Sequence, residues 1–168
     1  IEMVITNTTN IIQGVADMEI DIGIVVSTDY GNLPVRPVRI SDAEKLVFVA
    51  SPNLPIAQKE RVDWHDLQDM PIICGQPGSL LHTLVIEKFR DAGIPASPHI
   101  MVNTLSMDVL KVFVKEGHAI GFWHTKEAEK EVLGRELQIL PFVEDITVPI
   151  DAISNENNEF EKPILKDL

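Results

Sequence analysis

The sequence predicts an α/β fold, and three observations carry that expectation. Short β-prone runs alternate along the chain with segments whose apolar residues recur at helical spacing. The helical segments open on hydroxyl-bearing or acidic residues, and several close on glycine. The composition, 45% hydrophobic over 168 residues, is enough for one good-sized domain or two small lobes.

Ile1-Glu2-Met3-Val4-Ile5 reads as a strand, and Thr6-Asn7-Thr8-Thr9 as the turn that ends it. Ile11, Ile12, Val15 and Ala16 then form one helical face, with Thr8 or Thr9 as the N-cap. Ile20 to Val26 is apolar except at Asp21 and Gly23, as expected of a strand buried on both faces. Together these make a β-α-β unit and predict parallel pairing. A looser β-like stretch from Val35 to Ile40 precedes a firmer strand, Leu46–Ala50, and Ser51-Pro52-Asn53-Leu54-Pro55 reads as a crossover. One helical turn, Trp64–Leu67, is expected behind Asp63.

A second α/β run begins with a strand at Pro71–Cys74 and a turn at Gly75-Gln76-Pro77-Gly78. Ser79 caps the next helix, with Leu81, Leu84, Val85 and Phe89 inward and Gly93 at its end. A strand at His99–Val102 leads to a helix, Met107–Glu116, capped by Ser106, with Val109, Leu110, Phe113 and Val114 inward. Gly117 ends it. Ala119–Trp123 is a strand, Thr125–Leu133 a charged helix stopped by Gly134, and Gln138–Leu140 and Val148–Ser154 are further strands. The passage from Val15 to Gly23 echoes that from Val114 to Gly121, both running from a helix end into a strand, as in two similarly built lobes. The chain opens on Ile1 within a strand-like run, which reads as a piece of a longer polypeptide.

Charge excludes one class of function. With 26 acidic and 14 basic residues the net charge is −12, a balance that repels phosphate backbones, so this segment is not expected to bind DNA itself. No apolar run is long enough to span a bilayer, no export signal is visible, and the single cysteine, Cys74, fits a reducing compartment. The five histidines (His65, His82, His99, His118 and His124) are scattered without metal-ligand spacing, so no metal is expected. Gly75-Gln76-Pro77-Gly78-Ser79 lacks the lysine of a phosphate loop and the spacing of a dinucleotide loop, so no nucleotide cofactor is expected. No nucleophile elbow or clustered base appears, and the chain is not expected to be an enzyme.

Three hydroxyl-bearing turns remain, each following a strand and opening a helix: Asn7-Thr8-Thr9, Gln76-Pro77-Gly78-Ser79 and Asn103-Thr104-Leu105-Ser106. In an open α/β sheet such turns gather at the carboxyl edge, where ligands bind, and helix starts favour an anion. Each residue also has a plain reading as a helix cap, contributing about 1 kcal/mol.

The order of segments resembles the effector domain of LysR-type transcription regulators. The likeness rests on Thr6-Asn7-Thr8-Thr9-Asn10-Ile11, Ile20-Asp21-Ile22-Gly23-Ile24, Leu46-Val47-Phe48-Val49-Ala50-Ser51-Pro52 and Leu54-Pro55-Ile56-Ala57. It continues through Asp66-Leu67, Pro71-Ile72-Ile73, Pro77-Gly78-Ser79 and Val114-Lys115-Glu116-Gly117 running into Ala119-Ile120-Gly121. The resemblance implies two Rossmann-like lobes of the periplasmic-binding-protein type with a hinge cleft. Lobe I would be residues 1–51 plus 140–168, and lobe II residues 52–139. It places effector contacts at Asn7, Thr8 and Thr9, at Gln76, Gly78 and Ser79, and at Asn103, Thr104, Trp123 and His124. It also implies a cytoplasmic bacterial protein, a homodimer or higher homo-oligomer, and DNA contact only through a winged helix-turn-helix absent from this sequence. In the implied antiparallel dimer the helix after Thr9 lies near the partner's helix after Ser79, where Ile12 or Val85 would serve unless they are core.

Three positions depart from the family pattern. Leu54 stands for a usual histidine, Ser79-Leu80-Leu81-His82 replaces Ser-Gly-Thr-Arg, and Ala119 replaces a glycine. Leu80-Leu81 implies either a less polar effector or a different packing. The rival reading is a stand-alone periplasmic-type solute-binding protein; an upstream helix-turn-helix or a signal peptide in the full gene separates the two.

Overall fold

The computed structural model describes residues 2–75, 79–95 and 106–158. The strand expected at 99–102 and the expected site residues Gln76, Gly78, Asn103 and Thr104 lie outside the described residues. The chain divides into two compact units, Ile1–Glu44 with Thr147–Leu168, and Lys45–Ile146.

In the first unit, helix α1 (Thr8–Ala16) packs on strand β1 (Ile22–Val26). Ile12, Val15 and Val25 are buried there with Val35 and Ile153. The N-cap is Asn7, not Thr8 or Thr9: its backbone is extended, and its Oδ1 accepts the Asn10 N–H at 2.9 Å. At the other end, Asn155 donates from Nδ2 to the carbonyls of Val15 (3.1 Å) and Ala16 (2.8 Å), covering acceptors a helix end leaves open.

Two expectations for this unit are corrected. Residues 2–7 form no strand, and Met3, Val4 and Ile5 are 84, 57 and 79% exposed. Among the described residues nothing pairs with them, and an unpaired extended segment gains no ladder bonds. The sheet here is also antiparallel. Strand β6 (Ile146–Asn155) returns from the far end of the chain and pairs with β1 from Ile22↔Ser154 to Val26↔Ile150. β1 is accordingly covered on alternate residues, with Val25 buried and Ile24 59% exposed.

Strand β2 (Val35–Ala50) is one continuous element where the sequence reads two. Ser41 to Lys45 is polar and mostly exposed, which erases the apolar signal without breaking the strand. β6 lies between β1 and β2 in the strand order.

In the Lys45–Ile146 unit, the end of β2 pairs antiparallel with β4 (Ile120–His124) and β5 (Gln138–Ile139). The short β3 (Ile72–Ile73) pairs parallel with β4, Ile72↔Ile120 and Ile73↔Gly121. Side-chain alternation gives the sheet two packed faces. One carries Phe48 and Phe122, stacked 4.5 Å apart, with Trp64 of α2 (Trp64–Leu67) and Phe142 against Phe48. Phe89 of α3 (Leu80–Asp91) meets Trp64. The other face carries Val47, Val49, Ile73 and Trp123, clustered with Leu110 and Val114 of α4 (Met107–Lys115) and Ala128 of α5 (Thr125–Leu133).

Local signals decide these helices well. Asp63 and Asp66 form the capping box of α2, and α5 has the limits its charge pattern predicts, with Gly134 at its C-cap. α3 and α4 end near glycines at positive φ, Gly93 (+73°) and Gly117 (+79°). Val109 and Phe113, expected inward, are 44 and 39% exposed; the nine-residue α4 buries only Leu110 and Val114, one turn apart. Ile12 and Val85 are both core residues.

Candidate functional site

β3 and β4 run parallel, so their carboxyl ends lie on one edge of the sheet. After β3 the chain passes Cys74 and Gly75, the latter at φ +95°, a backbone state a side chain resists. It reaches Ser79, whose Oγ accepts the His82 N–H at 3.3 Å and caps α3. A side chain at Gly75 would place its Cβ 2.7 Å from that same Oγ. After β4 the chain passes directly from His124 into α5, and the Thr125 hydroxyl fixes the junction by donating to the Lys45 carbonyl at 3.1 Å. α4 leads into β4 through the tight turn at Gly117, so α4 also starts toward that carboxyl edge.

Three helices of this unit therefore begin at one sheet edge. Each start presents N–H groups without intrahelical partners and the positive end of a helix dipole. The arrangement suits an oxyanion. Among the described residues no three His, Cys, Asp or Glu side chains are grouped to hold a metal ion.

The structure brings Ser79 and His124 to this edge. Asn7, Thr8 and Thr9 open α1 in the other unit, with Asn7 and Thr8 half-buried and Thr9 exposed. Trp123 stands apart: it is 4% exposed, and its ring occupies the space over Gly121, where a Cβ would lie 2.2 Å from it. Its indole N–H is buried with no hydrogen-bond partner among the described residues.

A second polar centre escapes the sequence reading. Asp151, 3% exposed in β6, accepts from the Tyr30 hydroxyl at 2.7 Å and from Arg39 Nε at 2.5 Å. Arg39 in turn donates to Ser27 Oγ at 3.2 Å. The one available signal was an acid inside the apolar run Val148–Ile153.

Cys74 is fully buried, and burial pushes its thiol up to about 12. Thiol-specific reagents at pH 8 should therefore label the native chain at least about a hundredfold more slowly than the urea-unfolded chain. Equal labelling rates would contradict the buried placement.

An α/β chain with helix starts gathered along a carboxyl sheet edge falls in the ligand-binding class. The chain belongs to the LysR substrate binding domain family, whose profile matches residues 1–162. Its fold is that of the solved regulatory domains of this family. The regulatory domain of Synechocystis CcmR in complex with 2-PG superposes with a TM-score of 0.80 at 20% identity, over 96% of this chain and 78% of that one. The effector binding domain of QuiR in complex with shikimate gives 0.78 at 18%, over 96 and 76%. Corynebacterium glutamicum OxyR gives 0.75 at 16%, and there this chain spans only about half, 52%, of the longer one. No curated protein matches the chain in sequence.

Proposed function

We propose that this chain is the effector-sensing part of a cytoplasmic, homo-oligomeric LysR-type transcription regulator, and that its effector is a small acid. DNA contact belongs to another part of the polypeptide, because a net charge of −12 opposes phosphate backbones. The observation that carries the reading is the gathering of the α3, α4 and α5 starts at one sheet edge, with Ser79 and His124 there. Family membership supports a binding role in place of a catalytic one. The ligands named for CcmR and QuiR support a small-metabolite effector. Such a ligand regulates by binding one conformation of the domain more tightly than another.

Thiol-based peroxide sensing is not part of this reading. The chain has one cysteine, and it is buried with its thiol held protonated.

The test is a thermal-shift screen of small carboxylic acids, shikimate among them. An effector at about 100 times its dissociation constant should add roughly 2.7 kcal/mol, a rise of about 5–10 °C. Ser79→Ala and Thr8→Ala should each reduce that increment. Increments rather than absolute melting points decide, since loss of the Ser79 cap alone costs about 1 kcal/mol. Parent-like increments in both variants would place the site elsewhere, and a screen with no stabilising acid would overturn the effector class.

A further inference from the structure

The outer face of α4 is apolar and open to solvent. Leu110 and Val114 hold the helix on the sheet. Lys111 and Lys115 tie it to α5 and the turn after it: Lys111 Nζ meets Glu131 at 3.2 Å, and Lys115 pairs with Glu136. The remaining side carries Val109, Val112 and Phe113, which at i, i+3 and i+4 form one stripe and are 44, 56 and 39% exposed. The His118 ring stands against Phe113, 6.1 Å away between centroids. This face does little for the helix itself. Valine and phenylalanine form helices less readily than lysine, glutamine or alanine, and in solvent they gain no burial in return. Glu116 stands at the C-cap, where the helix dipole disfavours an acid. Several choices against local stability, gathered on one face, point to a role outside the fold.

Charge decides what covers the stripe. Asp108 lies before it and Glu116 after it, both exposed, while the lysines of α4 are held on the α5 side. A second copy of this chain fits poorly. Antiparallel pairing of two such stripes sets Asp108 against Glu116, parallel pairing sets each acid against itself, and each molecule carries −12. Three apolar side chains are also far fewer than the roughly 20–30 residues a side of a stable dimer. A basic helix answers both points. Its own apolar residues at i, i+3 and i+4 can interlock with the stripe. The two acids are eight residues apart, about 12 Å of helix, so lysines or arginines two turns apart on the incoming helix match them.

We infer that the Val109, Val112 and Phe113 stripe is a docking surface for a basic amphipathic helix of a partner protein. The acid-binding edge proposed above uses only the start of α4. The stripe lies on the solvent side of that helix, and Val112 and Phe113 are more than one turn along it. The two surfaces also prefer opposite charges.

The test is NMR of the whole 168-residue chain titrated with three synthetic helical peptides. The first carries leucines at i, i+3 and i+4 with lysines two turns apart; the second has glutamates for the lysines; the third keeps the lysines but has serines for the leucines. The first should shift the Val109 and Val112 methyls and the Phe113 ring saturably, and the other two should bind at least about fivefold more weakly. Val112→Gln, an exposed change to a better helix former, should weaken the first peptide by at least about fivefold. Glu116→Gln should weaken it about two- to threefold at low salt and hardly at high salt. No saturable shift up to about 1 mM peptide overturns the inference. So does equal binding of either control peptide, a Val112→Gln variant that binds like the parent, or self-association through the same resonances when no peptide is present. None of these outcomes bears on the acid screen, whose readout is Ser79.

Discussion

Replacing Phe48 with alanine should cost the Lys45–Ile146 unit about 3–5 kcal/mol, the range for truncating a buried aromatic. Phe48 is 1% exposed and stands at the centre of the ring cluster, stacked on Phe122 and in contact with Trp64 and Phe142. The loss combines apolar area returned to water with a void that the two-sided packing of a sheet closes poorly. For a chain of this size the melting temperature should fall by roughly 6–20 °C. Near-ultraviolet circular dichroism should show the Trp64 environment loosening in the same transition. Val109→Ala on the exposed face of α4 is the control and should stay within about 0.5 kcal/mol. A fall of less than about 3 °C in the Phe48 variant would mean that the ring cluster is not the core of this unit.

Asp151→Asn should be the next most disruptive change, and its effect should depend on pH. The substitution removes the charge that Arg39 and Tyr30 address inside the first unit. Breaking a fully buried ion pair costs about 3–5 kcal/mol. Here the Arg39 side chain is 45% exposed and can rehydrate, so about 2–3 kcal/mol is expected. Burial alone would raise the Asp151 pKa, but hydrogen bonds from Arg39, Ser27 and Tyr30 outweigh it and hold the carboxyl below its ordinary range. A depressed folded pKa contributes stability above the unfolded value, near 4, and loses it as pH falls through the folded value. The gap between parent and variant should therefore be constant from about pH 8 to 5 and narrow below about pH 4.

The alkaline side has the opposite sign. Burial, and then the bond to Asp151, raise the Tyr30 phenol from 10.0 to about 12. That contribution is present below 10.0 and lost as pH rises toward about 12, so the parent should weaken across this window. Chemical denaturation at a series of pH values reads both arms. A parent–variant difference that persists unchanged at pH 3 would sink the account of Asp151.

Elements whose causes are local were legible in the sequence. α5 has its glycine stop, Gly134, directly after the helix, and α2 carries its capping box within four residues. β2 was not, because Ser41–Lys45 is exposed and gives no apolar rhythm while its backbone stays extended. The antiparallel place of β6 was hidden for another reason: its pairing with β1 joins residues more than a hundred positions apart, and nothing near Ile22 announces Ser154. Residues 2–5 show the converse, a β-prone composition that needs a paired edge to become a strand.

The candidate site divides along the same line. Ser79 was legible as a helix cap, and its binding role is a proposal drawn from the family resemblance. Asn7 took the cap expected of Thr8 or Thr9 because backbone conformation, not residue preference alone, decides which oxygen reaches the first free N–H groups. The Asp151 centre depends on strands β2 and β6 meeting the Ser27–Tyr30 segment, which no single stretch of sequence displays.

The division of the chain sets an order for its assembly. Residues 45–146 are one uninterrupted stretch, whereas the other unit needs segments from both sides of it, including the Asn155 that closes α1. On the ribosome, the uninterrupted unit can complete its sheet while β1 still waits for β6 to be synthesised. Until then the apolar face of α1 has only a partial cover, and the nascent first unit is the more exposed to proteases and to aggregation.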